Sequence, residues 1–266
     1  MAIIAHYTLA LAIALFALTE PTLASGQRID LDKYILTFEE EFYTLDVSSR
    51  GPDTRWIAQT PWGGNFGKAA FAAPKPGFPF SIEDGVLRIE ARKDNNGKWR
   101  SGLLASVDLS GKGFSQQYGY FEIRAKLPIG EGLWPAFWLI GLDRETHTAE
   151  IDVLEHYGHA PDRYKSAVHV WNRSDRGKSR SVYHQNPVLA GSLYDQFNTY
   201  GVDVGPKWIR FFFNRAEVWR TRTPPHHRQP MYVLLNLGLG GGPPINNAPS
   251  PAYMFIDYVR AYQARD

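Results

Sequence analysis

Polar and apolar residues alternate with a period of two along much of the chain, and this pattern predicts β-strands. Residues 120–127 alternate without interruption, and residues 86–92 place Leu87, Ile89 and Ala91 on one side and charged residues on the other. This period is typical of strands that bury one face and expose the other. Further strands are predicted at 35–42, 103–109, 133–140, 149–155, 165–171, 198–204, 208–213, 216–220, 230–237 and 253–263.

Turn-forming residues separate these segments at short intervals, for example at Glu83-Asp84-Gly85 and Asn95-Asn96-Gly97. No long amphipathic helix is evident, and residues 190–197 are predicted to hold one short helical turn. Many short strands with such spacing predict an all-β sandwich or barrel.

Two stretches lack a strand pattern and are predicted to be irregular. Residues 172–187 are rich in Ser and Arg, and residues 238–251 are rich in Gly, Pro and Asn. Long loops on a β-scaffold often form the rim of a binding cleft, although ordinary solvated connections are the alternative.

Composition excludes several classes of function. The 266 residues are 44% hydrophobic, which is enough for a packed core, and the formal net charge of +2 is too small to favour nucleic acid or an anionic membrane as the partner. Cysteine is absent, so disulfides, thiolate nucleophiles and cysteine-based zinc sites are excluded.

The first residues differ from the rest of the chain. An apolar run extends to Leu18, and small residues precede a cleavage point after Ala24. We therefore expect residues 1–24 to be a signal peptide and residues 26–266 to form one secreted or periplasmic domain. An uncleaved membrane anchor is the alternative, and the mature protein is expected to be a monomer without membrane association.

Three carboxylates lie among apolar residues in one predicted strand, at Glu150, Asp152 and Glu155. Glu150 and Asp152 share a face of a regular strand, but Glu155 points to the opposite face because it is an odd number of positions away. One extra residue, a β-bulge near Val153-Leu154, would bring all three carboxylates to one side.

Three acids on one face suit the hydrolysis of a glycosidic bond. Two carboxyls about 5–5.5 Å apart can act with retention, one as nucleophile and one as acid/base. Asp152 between them can hydrogen-bond Glu150 and influence which carboxyl holds a proton. A salt-bridged strand face and a calcium site built from the same acids are the alternatives.

Aromatic residues near the acids favour a carbohydrate ligand. Trp134 and Trp138 share a strand face with the small Ala136 between them, and His169 and Trp171 share a face of the strand at 165–171. Flat indole rings suit the apolar faces of pyranose rings, whereas core packing is the alternative for each single Trp.

These motifs together resemble glycoside hydrolase family 16. The run from Glu150 to Glu155 matches the bulged E-x-D-x-x-E signature of laminarinases, agarases and carrageenases. Further matching segments occur in the expected order at 37–42, 84–89, 118–122, 132–139, 230–237 and 256–263.

The resemblance implies a β-jelly-roll sandwich of two antiparallel sheets with a concave substrate cleft. It also implies retaining endo-hydrolysis, with Glu150 as nucleophile, Glu155 as acid/base and Asp152 as the partner of Glu150. The residues implied to lie along the cleft are Trp134, Trp138, His169, Trp171 and Asn236.

The family also often carries a structural calcium, although the resemblance implies no cofactor for catalysis. The matching ligands would be Glu40 or Glu41, the Gly85 carbonyl and Asp257, and a plain surface Asp is the alternative. The chain departs from the family at Ser101-Gly102-Leu103, where an Arg is often found, and at residues 60–67. Asn65 and Trp62 are assigned to the binding loop there.

The favoured hypothesis is an endo-acting, retaining hydrolase of a β-linked polysaccharide. The substrate would be a β-1,3- or mixed-linkage glucan or a bacterial exopolysaccharide. A transglycosylase with the same site and a non-catalytic carbohydrate-binding jelly roll are the alternatives. A metal-dependent enzyme would rest on the pairs His156/His159 or His226/His227, which lack a third ligand at useful spacing.

Overall fold

The computed structural model of the protein describes residues 26–242 and 244–265, and the predicted signal peptide lies outside these residues. Two β-sheets pack face to face in the described part of the chain. The strands in chain order are β1 Tyr34–Glu40, β2 Val47–Ser48, β3 Trp56–Ile57, β4 Ala70–Phe71, β5 Phe80–Glu83, β6 Val86–Lys93, β7 Trp99–Ser101, β8 Leu103–Ala105, β9 Ser115–Gln116, β10 Gly119–Lys126, β11 Leu133–Gly141, β12 His147–Glu155, β13 Arg163–Asn172, β14 Arg180–Pro187, β15 Asn198–Val204, β16 Trp208–Phe213, β17 Ala216–Arg222, β18 Met231–Leu239 and β19 Ala252–Ala264.

Nine of these strands form the sheet that we call the front sheet, in the order β14-β13-β12-β11-β18-β8-β3-β2, with β9 also paired to β18. Ten form the back sheet, in the order β17-β16-β15-β10-β19-β6-β7-β4, with β1 on β19 and β5 on β6. Two short pairs, β2–β3 and β4–β7, are parallel, and the other strand pairs are antiparallel. The all-β jelly-roll sandwich expected from the sequence is confirmed.

Helical structure in the described residues is limited to short segments. The α-helix α1 spans Ser192–Asp195, inside the region predicted to hold one helical turn. Three 3₁₀ helices span Leu31–Lys33, Arg176–Lys178 and Pro225–His227. None of the helices in this part of the chain has the length and apolar character that crossing a bilayer requires.

The core lies between the two sheets and follows the period-two pattern. Leu87, Ile89 and Ala91 on β6 are fully buried, as their alternation predicts. The front sheet contributes alternate residues of its central strands to the same core, namely Phe137, Leu139, Ile151, Val168, Val233, Leu235 and Leu237. The intervening residues of the front sheet therefore point away from the core, onto the face that carries the acids.

One polar residue of the back sheet is buried despite its place on the outer side of β10. Glu122 is 0% exposed, and its carboxylate accepts hydrogen bonds from the Arg215 guanidinium at 2.9 and 3.1 Å and from the Tyr258 hydroxyl at 2.8 Å. A buried carboxylate requires such partners, because leaving it unpaired costs several kcal/mol.

The prediction that residues 172–187 are irregular is wrong for their second half. Residues 180–187 form β14, which pairs with β13 from Arg163↔Pro187 to Val170↔Arg180. This strand closes one edge of the front sheet, and most of its residues are exposed. An exposed edge strand needs no apolar face, so the polar sequence carried no alternation signal.

Candidate active site

A β-bulge at Val153 places the three carboxylates on one face of the front sheet. On one side, Leu154 pairs with Phe137 while Asp152 pairs with the next residue, Trp138, so β12 has one residue more than β11. The same extra residue appears against β13, between Asp152 and Glu155. Val153 and Leu154 both enter the core. The predicted bulge is confirmed.

The register of β11, β12 and β13 then aligns the acids with specific neighbours. Each acid lies between one residue of β11 and one of β13. The three rows are Ile140–Glu150–His169, Trp138–Asp152–Ala167 and Ala136–Glu155–Lys165. Two of the residues opposite the acids, His169 and Lys165, can interact directly with carboxylates.

The acids line a cleft of about 230 Å³, which we call the acid cleft. Aromatic rings form much of its wall, and Phe66 joins them by lying 5.6 Å from Trp134 and 5.7 Å from Trp138, centroid to centroid. The lining residues are Trp62, Phe66, Trp134, Ala136, Trp138, Glu150, Asp152, Glu155 and Asn236. An apolar wall with a few convergent polar groups is the usual character of a ligand site.

Glu155 is held by three donors. Its Oε1 accepts hydrogen bonds from Trp134 Nε1 at 3.1 Å and from the Tyr157 hydroxyl at 3.3 Å. Its Oε2 lies 2.7 Å from the ammonium of Lys165. Burial alone would lower the pKa of Lys165, but the charge and hydrogen bond of Glu155 outweigh burial and leave the pKa of Lys165 raised. Glu155 is only 6% exposed, so its orientation is defined by these contacts.

Asp152 contacts a histidine. His169 Nε2 lies 2.9 Å from Asp152 Oδ2, and His169 Nδ1 lies 2.5 Å from Ser181 Oγ. Burial lowers the pKa of His169, so the ring is neutral near pH 7 and the contact is a hydrogen bond. Burial, and then the charge of Glu155, raises the pKa of Asp152 well above its ordinary value.

Glu150 is half-buried at the opposite end of the row of acids. Burial, followed by the charge of Asp152, raises the pKa of Glu150 to about 8. His227 lies behind this residue, with Nε2 3.1 Å from the Glu150 carbonyl oxygen. The buried His227 therefore fixes the backbone that carries Glu150, and burial lowers its own pKa to about 4.

The substrate-binding residues expected from the sequence divide into three groups. Trp62, Trp134, Trp138 and Asn236 line the acid cleft, where Asn236 Oδ1 accepts a hydrogen bond from Trp138 Nε1 at 2.9 Å. The rings of His169 and Trp171 stack 4.6 Å apart beside the acids. Asn65 is not part of the cleft lining, because its Oδ1 accepts a hydrogen bond from the Phe71 backbone within its own loop.

The carboxylates expected to bind calcium form ion pairs with arginines instead. Glu40 binds the Arg55 guanidinium at 2.9 Å and accepts a hydrogen bond from Trp56 Nε1. Asp257 pairs with Arg124, and Glu41 pairs with Arg260, while Gly85 lies in a turn against Tyr43. Carboxylates neutralised by guanidinium groups do not fit a calcium ion. Calcium binding stays a prediction that this arrangement does not favour.

The histidine pairs do not build a metal centre. His156 is buried and its Nδ1 contacts the Arg163 carbonyl oxygen, whereas His159 is exposed. Within residues 26–242 and 244–265, the one set of three clustered donors is Glu150, Asp152 and His169, whose ligand atoms lie within 4.8 Å of one another. His169 already bridges Asp152 and Ser181, so hydrogen bonding accounts for this set.

Sequence reasoning missed three residues that shape the site, Phe66, Tyr157 and Lys165, and it considered His227 only as a metal ligand. Lys165 and His169 are four apart on β13 and share a face, so this signal was present once the strand was recognised. Tyr157 follows β12 and His227 precedes β18. Their contacts with Glu155 and with the Glu150 carbonyl oxygen are not predicted by any local sequence pattern.

Several known proteins are similar to this chain. The model of the family described as "Glycosyl hydrolases family 16" matches residues 79–260. Endo-1,3-1,4-beta-glycanase EglC of Rhizobium meliloti (strain 1021) is 33% identical over 257 residues, which cover 87% of this chain and 53% of that protein. Endo-1,3-1,4-beta-glycanase ExsH of the same organism is 33% identical, covering 88% and 53%. The chain spans about half the length of these relatives.

Solved structures share the fold. SCLam, a non-specific endo-beta-1,3(4)-glucanase from family GH16, has a TM-score of 0.71 and 26% identity, covering 91% of this chain and 96% of that chain. The catalytic domain of an endo-1,3-beta-glucanase (laminarinase) from Thermotoga petrophila RKU-1 has a TM-score of 0.68 and 23% identity, covering 88% and 99%. At 23% identity, the similarity to the laminarinase domain shows only that the two chains share a fold.

Proposed function

Because this chain belongs to the family 16 glycosyl hydrolases, we propose that it is an endo-acting, retaining hydrolase of a β-linked polysaccharide. The observation that carries the proposal is the bulge at Val153, which turns Glu150, Asp152 and Glu155 toward one aromatic cleft. The names of the relatives favour a β-1,3- or mixed-linkage β-glucan as the substrate.

The proposed reaction has two steps. Glu150 attacks the anomeric carbon while Glu155 protonates the departing oxygen, so the glycosidic bond breaks and an ester to Glu150 forms. Glu155 then removes a proton from water, whose oxygen attacks the same carbon and releases Glu150. Trp134 and Tyr157 hold the Glu155 carboxyl for both transfers.

The protonation of the site belongs to the whole cluster of acids. Closely spaced carboxyls titrate together, so a cluster that carries one proton includes a state with Glu150 ionised and Glu155 protonated. The His169 contact helps to keep Asp152 in place beside Glu150. Because the pKa of Glu150 is raised to about 8, the ionised nucleophile becomes more abundant as the pH rises toward 8.

Release of reducing ends from laminarin, lichenan and other β-linked polymers tests the proposal. Glu150→Ala and Glu155→Ala are expected to abolish release while retaining the fold by circular dichroism. Glu145→Gln, an exposed carboxyl in the loop before β12, is the matched control and should keep wild-type activity. Ordinary activity in either alanine variant would contradict the assignment, and NMR of the first product anomer tests retention.

Two alternatives share this site. A transglycosylase would yield products longer than the substrate, and a carbohydrate-binding jelly roll would bind polymers without turnover. The intact trio of acids in the cleft favours catalysis over binding alone. We also propose that the protein acts outside the cytoplasm as a monomer, which signal-peptide cleavage and sedimentation measurements would test.

A further inference from the structure

Ser181 lies at the end of a chain of hydrogen bonds that begins at the buried Asp152. His169 Nε2 is 2.9 Å from Asp152 Oδ2, and His169 Nδ1 is 2.5 Å from Ser181 Oγ. The side chain of Asp152 is 8% exposed and that of His169 is 12% exposed, whereas Ser181 is exposed. The imidazole therefore connects a carboxyl in the acid cleft with a hydroxyl in contact with solvent.

Two features of the sheet fix the orientation of the imidazole. The strand β14 pairs with β13 so that Ser181 is directly opposite His169, and both side chains lie on the face that carries the acids. The Trp171 ring stacks on the His169 ring, with centroids 4.6 Å apart and planes 13° apart. The plane of the imidazole is thereby held, and each ring nitrogen faces one oxygen.

The tautomer of His169 depends on whether Asp152 holds a proton, because a neutral imidazole has one N–H donor and one acceptor nitrogen. When Asp152 is ionised, Nε2 carries the hydrogen and donates it to Oδ2, and Nδ1 needs a donor. When Asp152 is protonated, its O–H donates to Nε2, and Nδ1 carries a hydrogen that needs an acceptor. The Ser181 hydroxyl can fill both roles because it is donor and acceptor.

We propose that Ser181 is a positioning residue that lets His169 bind Asp152 in both protonation states, an inference that rests on the proposed function. In the proposed reaction, Glu150 changes from a carboxylate to a neutral ester and back, so the charge next to Asp152 changes twice in each turnover. Closely spaced carboxyls redistribute their protons when a neighbour changes its charge. With Ser181 present, Asp152 keeps its contact with His169 during this redistribution.

The same three groups form a path for a proton between Asp152 and solvent. Asp152 gives its proton to Nε2 of His169, Nδ1 gives its hydrogen to Ser181 Oγ, and Ser181 releases its own hydroxyl proton to a water molecule. Asp152 is then ionised, His169 and Ser181 are neutral, and the water has gained one proton. The reverse sequence returns the proton to Asp152.

Other titratable groups surround this path and influence its protonation. They are Glu150 and Glu155 on β12, Lys165 on β13, Tyr183 on β14 and His227 of the 3₁₀ helix Pro225–His227. Substitutions at position 181 leave all of these groups in place. A difference between two variants at this position therefore reports on the hydroxyl itself.

Matched substitutions at position 181 test the role of the hydroxyl. Ser181→Thr keeps the hydroxyl, whereas Ser181→Val has the shape of the Thr variant without it, and Thr and Val both favour strands. The Val methyl groups also exclude a water molecule that could replace the hydroxyl. On laminarin and lichenan we expect kcat of Ser181→Val to fall about fivefold with KM unchanged, as the loss of one hydrogen bond implies. Ser181→Thr should keep the wild-type kcat.

Nitrogen NMR of the imidazole rings gives a readout that does not require turnover. The nitrogen shifts distinguish the two tautomers, and the spectrum of His169→Gln identifies the His169 signals among the eight histidines. In the wild-type protein and in Ser181→Thr, the Nδ1–H tautomer should become less abundant as the pH rises from 6 to 9. In Ser181→Val the Nε2–H tautomer should predominate throughout, because a buried N–H without an acceptor is costly.

The same tautomer balance in Ser181→Val and the wild-type protein, or an equal fall of kcat in the Thr and Val variants, would overturn the inference and leave the proposed function intact. A raised KM with unchanged kcat in Ser181→Val would also overturn it, since Ser181 would then be a sugar contact. A folded wild-type protein without turnover on either polymer would instead refute the proposed function, and the NMR comparison would still test the chain of hydrogen bonds.

Discussion

Replacing Glu150 by the nearly isosteric Gln should stabilise the protein, and by an amount that depends on pH. Burial raises the pKa of Glu150 from 4.5 to about 8 in the folded chain. Between these two values the unfolded state has lost the Glu150 proton and the folded state has kept it. The contribution of Glu150 to folding stability therefore falls as the pH rises through this interval, and it levels off above pH 8, where Glu150 is ionised in both states.

The size of the stability difference follows from the shift of the Glu150 pKa from 4.5 to about 8. Each pKa unit corresponds to about 1.4 kcal/mol, so the carboxylate costs at most about 5 kcal/mol above pH 8. Relaxation around the charge reduces this figure, and we expect Glu150→Gln to gain about 2–5 kcal/mol at pH 9 and less than about 1 kcal/mol at pH 5. For a domain of this size the gain at pH 9 corresponds to a rise in Tm of about 5–15 °C.

Urea denaturation followed by tryptophan fluorescence at pH 5, 7 and 9 measures the difference. Glu145→Gln removes an exposed carboxyl from the neighbouring loop and serves as the control for a carboxyl outside the acid cleft. A gain for Glu150→Gln that is the same at pH 5 and pH 9, or a loss at pH 9, would refute the reasoning. A gain at pH 9 with loss of turnover would show that the active site is maintained at the expense of stability.

Four further predictions follow from the described contacts. The rising limb of the kcat/KM profile of the wild-type protein should extend toward pH 8 as Glu150 ionises, and a profile without a rising limb in this range would contradict the raised pKa of Glu150. Arg215→Ala should lower the free energy of unfolding by about 3 kcal/mol because it leaves the buried Glu122 without its cation, and Glu122→Gln in the same background should recover part of the loss. Treatment with EDTA should change neither Tm nor activity, since guanidinium groups occupy Glu40 and Asp257; a Tm loss reversed by calcium would disprove this. Deleting Val153 should reduce but not abolish activity, because the resulting regular strand still has all three acids on one face. Deleting Ile151 should abolish activity. Equal loss in both deletions would argue against the view that the bulge serves to bring the three acids to one face.

The local alternation of the chain determined much of the fold and the identity of the acids. The pattern of Leu87, Ile89 and Ala91 requires no distant partner to indicate a buried strand face. The odd spacing between Asp152 and Glu155 required a bulge if the carboxylates were to act together, and the structure has it at Val153. Such inferences succeed because the period of two is a property of a single strand.

The pairing of strands determined which residues lie next to the acids. Lys165 lies opposite Glu155 and His169 lies opposite Glu150 only because β13 pairs with β12 in one register. The exposed strand β14 carried no apolar signal, yet it places Gln185 opposite Lys165 at the edge of the front sheet. Alternation along a strand reports which side a residue faces, but contacts between strands depend on residues far apart in the chain. The electrostatic environment of each acid was therefore set by the tertiary structure.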